Sequence, residues 1–296
     1  MAERIVSLLP SATEVLFFLG LGDRVVGVTY ECAEPPEAAG RPHLTNTIIP
    51  PGASPGEINE VISSAVADGR ELYTLDRELL RSLDPDLIVT QDLCRVCALP
   101  AGDVAAAVAE LGCTDNVFHY DPMTLDGVID EIERVASVAG AGPEAIDRVA
   151  ELRARLAAAR ESNGSLDDGG VNGNGERPRV LLLEWVDPAF TAGHWIPDQI
   201  EAAGGTPLLA HPGGRSEATE WSAIAACEAD VVIVAPCGVD AATAEEHLQL
   251  VRDRPEIQGL PAAGTGRIHA IDGDAHIVRP GPRLLDGVDA LAELIR

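Results

Sequence analysis

Short apolar runs alternate with helical patterns along most of the chain. Residues 4–9 (RIVSLL), 25–29 (VVGVT), 87–90 (LIVT), 116–119, 180–183, 231–235 and 267–271 predict strands. Most of these runs are apolar throughout rather than alternating, as expected of strands covered on both faces. After the first run, Ser11-Ala12-Thr13-Glu14 has the spacing of a capping box, with Ser11 as N-cap and Glu14 at the third helical position. The helix it predicts carries Val15, Leu16, Phe18 and Leu19 and stops at Gly20 to Gly22. Further helices are expected over 58–67, 77–82, 104–111, 196–203 and 284–295. Residues 125–162 read as a long helical stretch broken near Gly140-Ala141-Gly142-Pro143, with strong helix formers in its second part. Residues 163–176 are Gly, Asn and Asp without apolar periodicity and predict a flexible loop.

Strand–helix alternation on both sides of the long helical stretch predicts two α/β lobes with mostly parallel sheets. The expected divisions are an N-terminal lobe over 1–142, a linker helix and loop over 143–177, and a C-terminal lobe over 178–296. The two lobes share a phrase. LDPDLIVTQDLC (83–94) and CEADVVIVAPCG (227–238) both read as helix end, acidic turn, strand and cysteine-bearing loop.

Composition narrows the function. The chain of 296 residues carries 21 Arg plus Lys against 48 Asp plus Glu, a formal charge of -27, and every one of its cations is arginine. Without lysine there is no Schiff-base chemistry, no pyridoxal-phosphate anchor and no P-loop lysine. The negative charge argues against nucleic acid and anionic membrane surfaces as partners. Such acidity is tolerable where salt screens self-repulsion, a halophilic composition. Apolar runs fall short of the roughly 18 residues a membrane span needs, so none is expected. The opening Met1-Ala2-Glu3-Arg4 has no basic leader, so a cytoplasmic location is expected. The six cysteines do not look like a disulfide framework, and reduced thiols are the expectation.

In open parallel sheets, ligands bind beyond the carboxyl ends of the strands. The segments expected there contain Tyr30-Glu31-Cys32, Gln91-Asp92 with Cys94-x-x-Cys97, Glu184-Trp185, Gly193-His194-Trp195, Pro236-Cys237-Gly238, and Asp272 through His276 followed by Arg279-Pro280-Gly281. Trp185 and Trp195 stand out in a chain with 3% aromatic residues and suit a flat or apolar ligand, with core packing as the alternative. Trp221 reads as packing. Cys32, Cys94, Cys97 and Cys237 together could supply four thiolates to zinc or an iron–sulfur cluster, with plain reduced thiols as the alternative. Cys113 and Cys227 read as small buried hydrophobes. Of the histidines, His194 and His276 fall near strand ends, and no H-E-x-x-H or G-x-S-x-G motif is present.

RIVSLLPSATEVLFFLGLGDRVVGVT, LDPDLIVTQ and GRIHAIDGDAHIVRPGPRLLDGVDAL resemble the substrate-binding proteins of ABC importers that have a helical interdomain backbone, and most of all their cobalamin-binding branch. Members of that family bind cobalamin, haem, ferric siderophores or metal ions. The resemblance implies two α/β lobes bridged by one long helix, here about 143–162, with a ligand cleft between them and no catalysis. It also implies an ABC transporter permease as partner. The sequence departs from the exported members in lacking an export signal and a lipid-attachment cysteine, and in carrying YEC, QDLCRVC and PCG.

The leading expectation is therefore a cytoplasmic small-molecule binder with a corrinoid (cobalamin) as ligand. Its expected contacts are Tyr30, Glu31, Gln91, Asp92, Glu184, Trp185, His194, Trp195 and Arg279. One rival is a zinc or iron–sulfur protein, or an enzyme of that kind, using Cys32, Cys94, Cys97 and Cys237. Another is an exported importer component whose start lies upstream of Met1.

Overall fold

The computed structural model describes residues 1–91, 107–108, 116–164 and 175–296. They form two compact units, Met1–Pro122 with Ile129–Glu151, and Met123–Val128 with Leu152–Arg296.

In the first unit, β1 (Ile5–Ser7), β2 (Val25–Gly27), β5 (Leu87–Thr90) and β6 (Val117–His119) form a parallel sheet in the order β2-β1-β5-β6. Between them in sequence, β3 (Thr45–Thr47) and β4 (Tyr73–Leu75) make a separate antiparallel pair. Ile5, Val6, Leu87, Ile88 and Val89 are all fully buried, which explains why these strands read as continuous apolar runs. Val6, Leu8 and Ile88 pack with Leu44, Leu72, Tyr73 and Leu80. Each such side chain contributes about 1.5–3 kcal/mol on burial.

Helix α1 (Pro10–Phe18) begins earlier than the capping box predicts. Leu9 is the N-cap and Pro10 is the first or second helical residue, so Ser11 lies inside the helix and caps nothing. Proline sets the start because its fixed φ suits the first turn and it has no N–H to be capped. The expected device occurs instead at α2 (Pro55–Ala67). There Ser54 Oγ accepts from Glu57 N at 3.4 Å, and a Glu57 carboxylate oxygen accepts from Ser54 N at 2.8 Å. The helix thus begins at Pro55, three residues before the expected 58. Asp76 caps α3 (Arg77–Leu83) by accepting from Leu79 N at 2.8 Å.

The long helical stretch is two helices, α4 (Leu125–Ala139) and α5 (Pro143–Gly164), separated at Gly140, whose φ is +66°. Along α4 the buried residues are Leu125, Val128, Ile129, Ile132, Val135, Ala136 and Ala139, a helical period. Asn163 and Gly164 belong to α5 rather than to the predicted loop, and Asn163 Nδ2 donates to Ala202 O at 3.0 Å. Residues 165–174 of that loop, and all of the predicted helix 104–111 except 107–108, lie outside the described residues.

In the second unit, β7 (Arg179–Val186) is central. β10 (Val231–Val234) pairs parallel with it, and β11 (Ile268–Ala270) pairs parallel with β10. On the other edge, the first residues of β7 pair parallel with β9 (Thr206–Pro207) and the last pair antiparallel with β8 (Ala189–Thr191). β8 was not anticipated, because the turn at Asp187-Pro188 lacks the glycine that announces most two-residue hairpins. α6 (Ile196–Ala202) and α8 (Leu284–Ile295) pack together, and Val180, Ile200 and Ile295 all crowd against Gly205. α7 (Ala241–Arg252), unread in the sequence, packs on β7, β10 and β11. Trp221 packs against the core of this unit with the Arg254 guanidinium 3.9 Å above its ring, as its reading as a packing residue requires.

The shared phrase is a shared structure. In the first unit Asp84 has φ +43°, Asp86 accepts from Glu3 N (2.8 Å) and Arg4 N (3.0 Å), and Arg4 reaches back to Leu83 O. In the second, Glu228 has φ +51° and Asp230 accepts from Arg179 N (2.9 Å) and Arg179 Nε (3.1 Å). Arg179 also donates to a Glu228 carboxylate oxygen at 2.9 Å. Each unit thus uses one arginine and one aspartate to pin the amino ends of its two central strands.

Candidate ligand-binding site

In the first unit, Tyr30 and Glu31 follow β2. Tyr30 N donates to Thr45 Oγ1 (3.3 Å) and Glu31 N to Thr29 Oγ1 (3.1 Å), which fixes the turn. The half-buried Tyr30 ring lies 6.4 Å from the Tyr73 ring, tilted by 34°. Burial first, then the Glu31 carboxylate, push the Tyr30 phenol well above its ordinary value, so it stays protonated and can donate. Gln91, at the end of β5, is buried, and beside it in sequence Thr90 Oγ1 is buried with no hydrogen-bond partner. Thr90 and Tyr73 were not singled out from sequence. Nothing in a β-strand pattern marks a hydroxyl that is left without a partner. Asp92, Cys94, Cys97 and Cys113 lie outside the described residues.

Cys32 is 1% exposed and lies 3.0 Å from Thr13 Oγ1, which in turn donates to Ser7 Oγ at 2.9 Å. Its sulfur is therefore part of a buried hydroxyl–thiol chain under the end of β1. Cys237 and Cys227 are partly buried. Among the described residues no group of three or more His, Cys, Asp or Glu side chains is placed to hold a metal ion.

In the second unit, Glu184 and Trp185 are residues of β7 itself rather than of a loop after it, because pairing with β8 prolongs the strand. Both are half-buried. Trp185 Nε1 donates to Asp187 O at 3.1 Å, and its ring meets His247 of α7 edge-on at 5.9 Å. Beyond β10, Gly238 N donates to Asp274 Oδ1 at 2.8 Å, and Asp274 Oδ2 accepts from Arg279 at 2.6 Å. This ties the Cys237 loop to the segment after β11. Burial raises the Asp274 carboxyl, opposed by Arg279. Asp274 was passed over in the sequence because carboxylates are too numerous there to single one out. Asp272 caps a short helix at Gly273–His276.

Trp195 and His194 separate from this group. β8 runs antiparallel, so the chain after it turns back along β7, and Ala192 N donates to Leu182 O at 3.1 Å. Trp195 is 4% exposed and its Nε1 donates to Ile277 O at 2.7 Å. Gln199 of α6, also buried, donates to His276 O and Leu284 O, both at 2.9 Å. The Trp195 ring is thus internal to the unit, and Trp195 and Gln199 hold the segment that carries Arg279. His194 is half-buried with φ +54°.

The Periplasmic binding protein family model matches residues 5–275. A "Cobalamin-binding protein" of Halobacterium salinarum is 28% identical over 299 residues, covering 98% of this chain and 68% of the relative. The solved structure of a periplasmic vitamin B12 binding protein of Vibrio cholerae superposes with a TM-score of 0.70 at 21% identity, covering 99% of this chain and 96% of that one. A periplasmic heme-binding protein of Roseiflexus superposes with a TM-score of 0.69 at 24% identity, covering 100% and 98%. The two-lobed α/β fold is thus shared by proteins named for different ligands. No helix among the described residues is long and apolar enough to cross a membrane. With a match that runs from the first strand to the segment after the last, this chain belongs to the Periplasmic binding protein family.

Proposed function

We propose that the protein is a binding protein for a corrinoid of the cobalamin class, acting without chemistry of its own and serving an ABC transporter permease. The observation that carries this reading is the likeness to the Halobacterium salinarum cobalamin-binding protein over 98% of the chain. The structure supports it with two sets of polar and aromatic groups. Tyr30 and Glu31 follow β2 and Gln91 follows β5 in the first unit, and Glu184, Trp185 and Arg279 follow or end strands of the second. Phenol, carboxylate, amide and guanidinium groups suit the peripheral amides of a corrinoid, and a half-buried indole suits its apolar edge. Cys32, with its sulfur engaged by Thr13, does not favour a zinc or iron–sulfur centre.

Calorimetric titration with cyanocobalamin in molar salt tests the proposal. Saturable binding is expected, and Trp185→Ala should weaken it by about 1–3 kcal/mol if the ring is covered by ligand. Absence of heat and of any spectral change at high micromolar ligand would remove the corrinoid class.

A further inference from the structure

The loop after β10 and the segment after β11 meet at one carboxylate. Cys237 N donates to Glu184 O at 3.3 Å, so this loop rides on the end of β7. A Cβ at Gly273 would collide with Pro236 O, so only glycine lets the segment after β11 come this close. One residue on, Asp274 closes the junction from both sides. Its Oδ1 accepts from Gly238 N at 2.8 Å, and its Oδ2 accepts from Arg279 Nη2 at 2.6 Å. Gly238 has φ +79°, a turn conformation that glycine adopts without strain.

The carboxylate stands on a rigid base. Asp272 accepts from Ala275 N at 2.7 Å, and Ile277 N and Val278 N both return to Gly273 O, at 2.8 and 2.9 Å. Trp195 and Gln199 hold the carbonyls of Ile277 and His276. α8 approaches so closely that a Cβ at Gly287 would collide with His276 O. The backbone as far as Val278 is therefore fixed by groups other than Asp274. What Asp274 adds is an anchor for the long side chain beyond it. Both side chains of the pair are 19% exposed, so water and salt screen it less than the open ion pairs of this unit. Burial pushes the Asp274 carboxyl up, and Arg279 and the Gly238 N–H oppose that shift.

Two consequences follow for a ligand that meets Arg279. An arginine ordered in advance loses less rotamer freedom on binding, and the saving appears as affinity. A guanidinium already paired with a carboxylate is also neutral as a pair. It suits the carbonyl oxygen of an amide, whereas an unpaired guanidinium favours an anionic carboxylate. We propose that Asp274 is a positioning and specificity-determining residue, which presents Arg279 as half of a neutral pair and thereby selects corrinoids with amidated side chains over those with free carboxylates. The proposal rests on the corrinoid reading above. It adds to that reading a residue that acts through Arg279 rather than on the ligand, and a preference among corrinoids.

The test compares dicyanocobinamide, whose peripheral groups are amides, with dicyanocobyrinic acid, which carries carboxylates on the same ring, at one fixed salt concentration. Asp274→Asn is the variant. It keeps the Oδ1 acceptor for Gly238 N and replaces the oxygen that receives Arg279, so its melting temperature should change little. The unsubstituted chain should prefer the amidated ligand. In Asp274→Asn, affinity for dicyanocobinamide should fall about three- to tenfold, as an arginine that must be ordered on binding implies. The preference over dicyanocobyrinic acid should shrink about tenfold or more, because the released cation gains a charge-assisted bond to carboxylate. Adding Asp274→Asn to Arg279→Gln should lower dicyanocobinamide affinity no further than Arg279→Gln does alone. Hydrogen exchange of the Gly238 amide in the unsubstituted chain needs no variant to fold, and protection is expected. An unchanged preference in Asp274→Asn, losses that multiply in the double variant, or a Gly238 amide that exchanges as an open loop overturns the positioning while leaving the corrinoid reading intact. Failure of dicyanocobinamide and of cyanocobalamin to bind the unsubstituted chain overturns the reading itself and the positioning with it.

Discussion

At the scale of single residues, the second unit contains a histidine with a structural role. His247 on α7 is 6% exposed, its Nδ1 is buried without a partner, and its ring abuts Trp185. Burial depresses its pKa, opposed by the neighbouring Glu246 carboxylate. A histidine whose folded pKa lies below its unfolded value is protonated first in the unfolded chain. The folded state is therefore undisturbed above about pH 6.5 and loses stability as pH falls from there toward the depressed value. His247→Phe keeps an aromatic ring against Trp185 and removes the proton site. Its melting temperature should fall less than that of the unsubstituted chain between neutral and mildly acid pH. Parallel profiles for the two would mean that the imidazole is not the origin of the acid sensitivity. His194 and His269 are depressed by burial as well, so the comparison isolates one contribution among several.

At the scale of elements, the strand-entry clamps differ in exposure, and that difference sets their worth. The Asp230 carboxylate is half-buried and takes the Arg179 backbone N–H and side chain together, whereas Asp86 is exposed. Asp230→Ala should cost about 1–3 kcal/mol, because a charged acceptor is lost and its donors are left in a partly buried place. Asp86→Ala should cost less, since water reaches the freed N–H groups of Glu3 and Arg4. Chemical denaturation of the two variants checks the order, and a larger loss for Asp86→Ala would refute the argument from exposure. Elements were legible in the sequence where burial on both faces produced unbroken apolar runs, as at Leu87–Thr90 and Val231–Val234. They were illegible where a local rule was overridden. Pro10 displaced the capping expected of Ser11, and the true capping box at Ser54 and Glu57 lies before the residues read as helical. α7 buries Ala244, His247, Leu248 and Val251 at helical spacing, but its buried stripe contains only two aliphatic side chains larger than alanine. Of the candidate site, residue type and strand-end position could be read for Tyr30, Glu31, Gln91 and Arg279. Side-chain commitment could not, because the bond from Trp195 to Ile277 O spans 82 residues.

At the scale of the whole molecule, a formal charge of -27 on 296 residues dominates. The arginines are partly spent in local pairs. Arg155 bridges Asp286 and Asp289, each at 2.6 Å, and Arg160 holds Asp126 at 2.7 Å. These pairs are largely exposed and individually weak. The remaining acids repel one another across a Debye length of about 30 Å at 0.01 M salt but only about 3 Å at 1 M. Melting temperature should therefore climb steeply between those limits, and a flat profile would mean that local pairing has already neutralised the repulsion.

The paired clamps have a consequence for engineering. Arg4 with Asp86, and Arg179 with Asp230, secure the amino ends of the central strands in their units, while the residues proposed as ligand contacts follow the opposite ends. A strand pinned at its entry keeps its register when its exit is rewritten. The segments after β2 and β10 can thus be treated as interchangeable cassettes. Transplanting them from relatives with other cargo would redirect recognition without redrawing the scaffold beneath.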